Sequence, residues 1–338
     1  MTLKANKWVQ LERPRLGSRV TYATDEFFGA KERLIAWAEP VFIEDKYDEH
    51  GKWMDGWESR RKREQGHDYC VIRLGVPGVI HGFDVDTRFF TGNFPPEVSI
   101  EACVSDKEAP EEGWVELVPQ TEISGDSHNY LDARNDTIFT HVRLHIYPDG
   151  GVARLRIFGE VKADFTDVDG FVDLVAVEHG GRPLSCSDEH YGSVHNLTAP
   201  GRGANMGDGW ETARRRGPGN DWVILALGQP GSIERAEIDT AHFKGNYPDR
   251  VSIEAALFTD DAEATNDSTH WQTLLPEAKL KMDQQHYFDD ALEKIGPVSH
   301  VRVSSYPDGG KSRIRSRHGL PFMLGEIPMF IWIVFGCG

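Results

Sequence analysis

The chain has 338 residues, long enough to bury two cores of ordinary size. Its formal charge of −17 favours solubility and argues against nucleic acid as a partner, because a polyanion needs a basic field. Residues 1–17 are polar and charged and start no signal-peptide pattern, so a cytoplasmic protein with no membrane span is expected. The four cysteines have no C-x-x-C spacing, and Cys70 and Cys103 stand where a second copy of the same stretch, described below, has the small apolar Val223 and Ala256, which reads as buried free thiols.

In chain order, residues 1–16 read as a polar lead-in and 18–24 as a first strand. Asp25-Glu26-Phe27-Phe28-Gly29 follows, then a short helix or loop over 31–37 and a charged loop over 40–51. Short apolar or alternating runs at 69–74, 82–86, 98–103, 140–147 and 152–158 predict strands, and no sustained helical period interrupts them. Pro77-Gly78 and Pro148-Asp149-Gly150-Gly151 predict turns, since proline presets φ and glycine supplies positive φ. Strands at this spacing indicate an all-β chain of β-sandwich or jelly-roll type.

The chain also contains one stretch twice. Residues 55–103 lie over 208–256 at a constant offset of 153, with 24 of 49 columns identical. Asp55-Gly56-Trp57-Glu58 meets Asp208-Gly209-Trp210-Glu211, and Gly92-Asn93 meets Gly245-Asn246. Tyr147-Pro148-Asp149-Gly150-Gly151 returns as Tyr306-Pro307-Asp308-Gly309-Gly310. Half identity over that length means an internal duplication. It divides the chain into a first repeat at 16–160, a linker at 161–183 with an extra strand at 172–177, and a second repeat at 184–317. An atypical apolar tail, 318–338, is read as a substitute for a lost last strand or as an altered end.

Several motifs resemble the allantoicase family: Tyr22-Ala23-Thr24-Asp25-Glu26-Phe27-Phe28, Phe42-Ile43-Glu44-Asp45-Lys46-Tyr47, Phe89-Phe90-Thr91-Gly92-Asn93 and Asp55-Gly56-Trp57-Glu58 with its following basic run. Ser187-Asp188-Glu189-His190-Tyr191-Gly192 and Asp208-Gly209-Trp210-Glu211 resemble the family's second half. The resemblance runs from about residue 16 to 315. It implies two tandem jelly rolls of galactose-binding-like type, and hydrolysis of allantoate to ureidoglycolate and urea in purine-ureide breakdown. The tail departs from the family's pattern.

That chemistry needs a cation for the substrate carboxylate, a general acid for the departing nitrogen and a base for water. Arg61 and Arg214, repeated after each Trp-Glu pair, are the candidate carboxylate clamps, because a guanidinium binds two oxygens at once. Glu58 and Glu211 each follow a tryptophan; a carboxyl beside an apolar ring can be held protonated, though an inward carboxylate bonding loop backbone fits the same pattern. Asp25 and Glu26 are a further acid–base pair or a turn cap, and His128 and His286 are candidate proton carriers. Lys46, in a loop that only the first repeat carries, Trp57, Trp210, Asn93 and Asn246 complete the expected substrate-binding set. His141 and His300 read as structural. No zinc pattern is present, so no cofactor is firmly implied, while a carboxylate-bound divalent ion stays open. The partner is a small anion, and a homo-oligomer is the expected assembly. The site belongs either to one repeat or to the junction of the two. The alternative function is a non-catalytic carbohydrate- or ligand-binding module, with Trp53, Trp57 and Trp210 stacking on a sugar.

Overall fold

The computed structural model describes residues 8–165 and 171–319. Their regular structure is strand with short 3-10 turns. The chain separates into two compact units, and each is a jelly-roll β-sandwich.

In the first unit one strand, Asp68–Asp86, is the spine. Its first half pairs with Ile138–Tyr147 and Arg19–Ala23, and its second half with Arg154–Val161 and His128–Asp132. Glu97–Cys103 and Val115–Glu122 extend the first half's sheet. Apolar side chains at every second position face inward, and Ile72, Phe83, Val85, Ile100, Val142, Leu144, Leu155 and Ile157 are all fully buried. The expected turn at Pro77-Gly78 does not form. The ladder to Ile138–Tyr147 skips there, passing from Gly78 to Arg73 between Phe139 and His141, so the chain bends from one sheet into the other without leaving the strand. Gly75 permits the bend's close packing: a Cβ there would lie 1.9 Å from the Leu16 carbonyl oxygen.

The first unit also takes in Val9–Gln10, ahead of residue 16, paired to Phe158 and Gly159 of the closing strand. The short helix or loop expected over 31–37 is a 3-10 turn, Lys31–Ile35. Cys70 and Cys103 are buried free thiols, and His141 and His300 are buried.

The second unit repeats the plan around Asp221–Asp239, flanked by Val298–Tyr306 and Arg313–Gly319. The expected loss of its last strand is not found: Arg313–Gly319 is the counterpart of Arg154–Val161 and runs two residues past 317. Phe171–Val172, inside the segment read as a linker, pairs with Gly319 and His318. The apolar run 329–335 lies outside the described residues. No helix among the described residues is long and apolar enough to cross a membrane.

One core position separates the copies. Val152 pairs with Trp57 in the first unit, and Lys311 pairs with Trp210 in the second. Lys311 is fully buried, its Nζ bonded to Ser305 Oγ and 4.4 Å from the Trp210 ring centre. Burial pushes its pKa down to about 7, against the opposing charge of Asp221. In the unfolded chain the amine stays protonated to an ordinary 10.5, so unfolding takes up a proton between the two values. Stability from this site is therefore complete above about pH 10.5 and is lost as pH falls toward 7. Lys311→Val should remove that slope and stabilise the second unit by on the order of 1–4 kcal/mol at neutral pH, as apolar replacement of buried charge does. Urea denaturation at pH 7 and pH 9 measures it.

Candidate active site

The duplicated Asp-Gly-Trp-Glu segment is held from beneath by a buried arginine. Arg154, 1% exposed, donates from Nη1 to the Asp55 carbonyl (2.8 Å), from Nη2 to Asp55 Oδ2 (2.8 Å) and from Nε to the Ala38 carbonyl (2.9 Å). Arg313 repeats the clamp on Asp208, with Nη2 2.9 Å from Oδ2. Neither arginine was singled out from the sequence. The two lie 99 and 105 positions from their partners, and the signal was the recurrence of an arginine after each Tyr-Pro-Asp-Gly-Gly turn.

Beyond the clamp, Trp57–Glu58 forms a two-residue strand between Gly151–Val152 on one side and Gly29 on the other. Alternation sends Trp57 into the core and Glu58 to the opposite face. Trp57 and Trp210 are fully buried, and each Nε1 donates at 2.8 Å to a carbonyl, of Asp25 and Asp188 respectively. The expectation that they stack on a ligand is corrected: no ring face is open, and they anchor the loops instead.

Glu58 points into a cleft of about 470 Å³ walled by Phe28, Arg61, Asn93, Phe94 and Asp149. Such a volume suits a small ligand. Asn93 Nδ2 donates to Glu58 Oε1 at 2.7 Å, leaving Oε2 to face the cleft. Burial raises the Glu58 pKa above its ordinary 4.5; the Asn93 bond opposes this, and the charge of Asp48 adds to it. Arg61 is exposed on the rim, and no described residue pairs with its guanidinium. The loop that carries it is fixed by Asp149, which accepts from the Lys62 amide at 2.7 Å, while Lys62 Nζ is spent on buried Asp68 (2.8 Å). Asp149 had been read only as part of a turn; its recurrence as Asp308, bonded to the Arg215 amide at 2.8 Å, was the sign of a wider role.

The second unit keeps the central pair: Asn246 Nδ2 donates to Glu211 Oε1, and Arg214 is again exposed without a described partner.

The remaining candidates fall elsewhere. Asp25 accepts the amides of Phe27 (3.1 Å) and Arg60 (3.0 Å) and pairs with the Arg60 guanidinium at 2.6 Å. Burial pushes its carboxyl up, but these bonds outweigh burial and hold it below its ordinary value, so it ties two cleft walls together rather than trading protons. Glu26 is exposed and paired with Lys31 at 3.0 Å. His128, on the strand His128–Asp132, bonds Asp84 of the neighbouring spine strand at 2.6 Å, outside the cleft wall. His286 uses both ring nitrogens on backbone, accepting from the Lys281 amide (2.8 Å) and donating to the Ile238 carbonyl (3.1 Å), which leaves none for proton exchange. Lys46 sits 3.4 Å over the Trp53 ring and does not line the cleft. Among the described residues no group of three His, Cys, Asp or Glu is placed to hold a metal ion.

Fold and cleft together define a tandem jelly-roll protein with a half-dry carboxyl beside an open guanidinium. The allantoicase repeat model matches residues 9–162 and 172–319. A probable allantoicase 2 of Burkholderia mallei is 51% identical over 315 residues, 91% of this chain and 94% of that protein. A probable allantoicase of Photobacterium profundum is 52% identical over 320 residues, 93% and 97% of the two. The crystal structure of allantoicase from Saccharomyces cerevisiae aligns with a TM-score of 0.78 at 37% identity, covering 94% of this chain and 95% of that one. The chain belongs to the allantoicase family.

Two stability measurements test this architecture. Arg154→Met strands the Asp55 carboxylate and removes a donor from three carbonyls, of Ala38, Asp55 and Ala153, and should cost about 3–5 kcal/mol in urea denaturation. For Glu58 the folded carboxyl binds its proton more tightly than the unfolded one. Its stabilising contribution is present below the ordinary 4.5 and is lost as pH rises through the higher folded value. Glu58→Gln should therefore match the wild type in acid and be the more stable protein at pH 7.

Proposed function

We propose that this protein is an allantoicase, hydrolysing allantoate to ureidoglycolate and urea as a step of purine-ureide degradation. The observation that carries the reading is the Glu58 carboxyl, desolvated and oriented by Asn93, in the same cleft as Arg61, which no described residue pairs. Membership of a family whose relatives bear that name supports it.

Arg61 takes the substrate carboxylate through its planar fork. Glu58 gives its proton to one ureido nitrogen as the bond from that nitrogen to the central carbon breaks, and urea departs. The lone pair of the other ureido nitrogen forms a C=N bond to the same carbon and carries the positive charge. Water then adds to that carbon and gives its proton to the Glu58 carboxylate, which restores the acid and leaves ureidoglycolate. One group thus serves in turn as acid and base, a role that asks for a pKa nearer the working pH than an exposed glutamate offers. No serine or cysteine nucleophile takes part.

A non-catalytic sugar-binding module is not favoured. Two of the three tryptophans it would use are buried, and Trp53 is covered by Lys46 and Arg33. The acidic balance of the chain supports a small anion, drawn to a local cation, over a nucleic acid.

Glu58→Gln, which keeps the bond from Asn93, should lower kcat by about 10²–10⁴-fold with little change in KM. Arg61→Ala should instead raise KM by about ten-fold or more, the loss of one charge-assisted contact. Urea release by the purified protein reads both, and wild-type-like kcat in Glu58→Gln refutes the assignment.

A further inference from the structure

On the sheet that carries the spine's first half, the face turned from the core bears matching pairs in the two units. Arg143 donates from Nε to Glu101 at 2.8 Å, and Arg302 to Glu254 at 2.8 Å. Ser99 meets the Tyr147 hydroxyl at 2.9 Å, and Ser252 that of Tyr306 at 3.1 Å. One pair of positions breaks the match. The first unit has His67 and His145 where the second has Asn220 and Ser304.

The two histidines are bonded to each other. His67 Nε2 lies 2.9 Å from His145 Nδ1, and His145 Nε2 lies 2.8 Å from Glu101 Oε2. Burial pushes the Glu101 carboxyl up, but its bonds to His145 and Arg143 outweigh burial and hold it below its ordinary 4.5. Glu101 is therefore an acceptor. His145 carries its proton on Nε2 and receives the His67 Nε2–H at Nδ1. In the second unit Asn220 gives its side-chain amide to the Asp221 carbonyl at 3.1 Å instead.

This bond closes the segment that carries Arg61. Near its start the segment is fixed by the Arg60 amide on Asp25 (3.0 Å) and the Lys62 amide on the cleft residue Asp149 (2.7 Å). The second unit keeps both fixings, through the Ala213 amide on Asp188 and the Arg215 amide on Asp308. The third, at residue 67, has no described counterpart there. The His67 ring also packs on Tyr147 at 4.5 Å between centres, and Tyr147 leads directly into Pro148 and Asp149 of the cleft wall. Next to His67, the Asp68 amide donates to the Pro148 carbonyl at 3.1 Å. One bond between two rings thus braces both the arginine segment and the wall beside it.

We propose that His67 and His145 are positioning residues for substrate binding: their hydrogen bond holds the segment 61–67 so that Arg61 stays presented to the cleft, and a second proton on the pair releases it. This rests on the reading of Arg61 as the carboxylate clamp. The bond survives when His67 alone is charged, because its Nε2–H still donates. It fails when His145 is charged as well, since two N–H groups then face each other. The charged groups around the pair are Glu101, Arg143, Asp68 and Lys62, and Tyr69 and Tyr147 are the other titratable groups against it. Burial lowers both rings from the ordinary 6.5; Arg143 adds to this at both and Lys62 at His67, while Glu101 and Asp68 oppose it. The bond is therefore whole at neutral pH and is lost as pH falls below 6.5.

The test is KM and kcat for urea release by the full-length protein, followed from neutral pH into acid. His67→Ala should raise KM about three- to ten-fold at neutral pH with little change in kcat, the worth of one hydrogen bond. His67→Gln sets an amide where the ring nitrogen was, and an amide can turn either its donor or its acceptor to His145. It should keep the wild-type KM at neutral pH and abolish the rise in KM that the wild type shows in acid. Arg61→Ala combined with His67→Ala should leave KM where Arg61→Ala alone puts it, since both act through one contact. A wild-type KM in His67→Ala while Arg61→Ala raises it, or a further rise in the double variant, overturns this proposal alone. Should His67→Ala not fold, as its urea midpoint reports, His67→Gln decides: an acid rise that persists in it overturns the proposal. An unchanged KM in Arg61→Ala overturns the reading of Arg61 and this proposal with it.

Discussion

A guanidinium buried under a loop governs both halves of this protein. Arg154 and Arg313 each reach the carbonyl and the carboxylate of the aspartate that opens the Asp-Gly-Trp-Glu segment. The fork is flat and its donors are fixed, so two bonds from it set both the position and the tilt of the chain above. From there the geometry is forced. A two-residue strand alternates, so the tryptophan goes down and the glutamate goes up. The tryptophan indole then catches the neighbouring turn, and the glutamate meets the asparagine of the Gly-Asn loop. Interactions far from the cleft thus fix the glutamate carboxyl that faces it.

Burying that glutamate works against the fold and for the proposed chemistry. Desolvation favours the neutral carboxyl, which a proton donor requires and a stable protein at neutral pH does not. The neighbouring groups divide the work: Asn93 limits how far the shift goes, and Asp48 reinforces it. The second unit carries its own buried charge at a different place, in the core at Lys311, where it has no comparable use. The copies have kept their frame while placing their costs at different sites.

Much of this was legible in the residues. The duplication, the strand positions, the Glu–Asn columns and the family motifs needed no coordinates, because periodicity and repetition are local properties of the chain. Partners far apart in sequence were not legible. Arg154 and Asp55 are ordinary residues until the closing strand brings them together. Pro77-Gly78 reads as a turn because local preference cannot distinguish a turn from a bend that stays in its ladder. Trp57 and His286 look like ligand-binding types, yet one fills a core and the other bridges backbone; composition says nothing of which way a side chain faces.

The spine strand Asp68–Asp86 belongs to both sheets of its sandwich, and its last partner, Arg154–Val161, is made long after it. The layer built on the spine's second half cannot close before residue 161 has been synthesised, so during translation that half stays without its main partner for some seventy-five residues, several seconds at ordinary elongation rates. The second unit imposes the same wait between Asp221–Asp239 and Arg313–Gly319. A duplicated chain of this design passes through that exposed state twice, whatever the stability of the finished molecule.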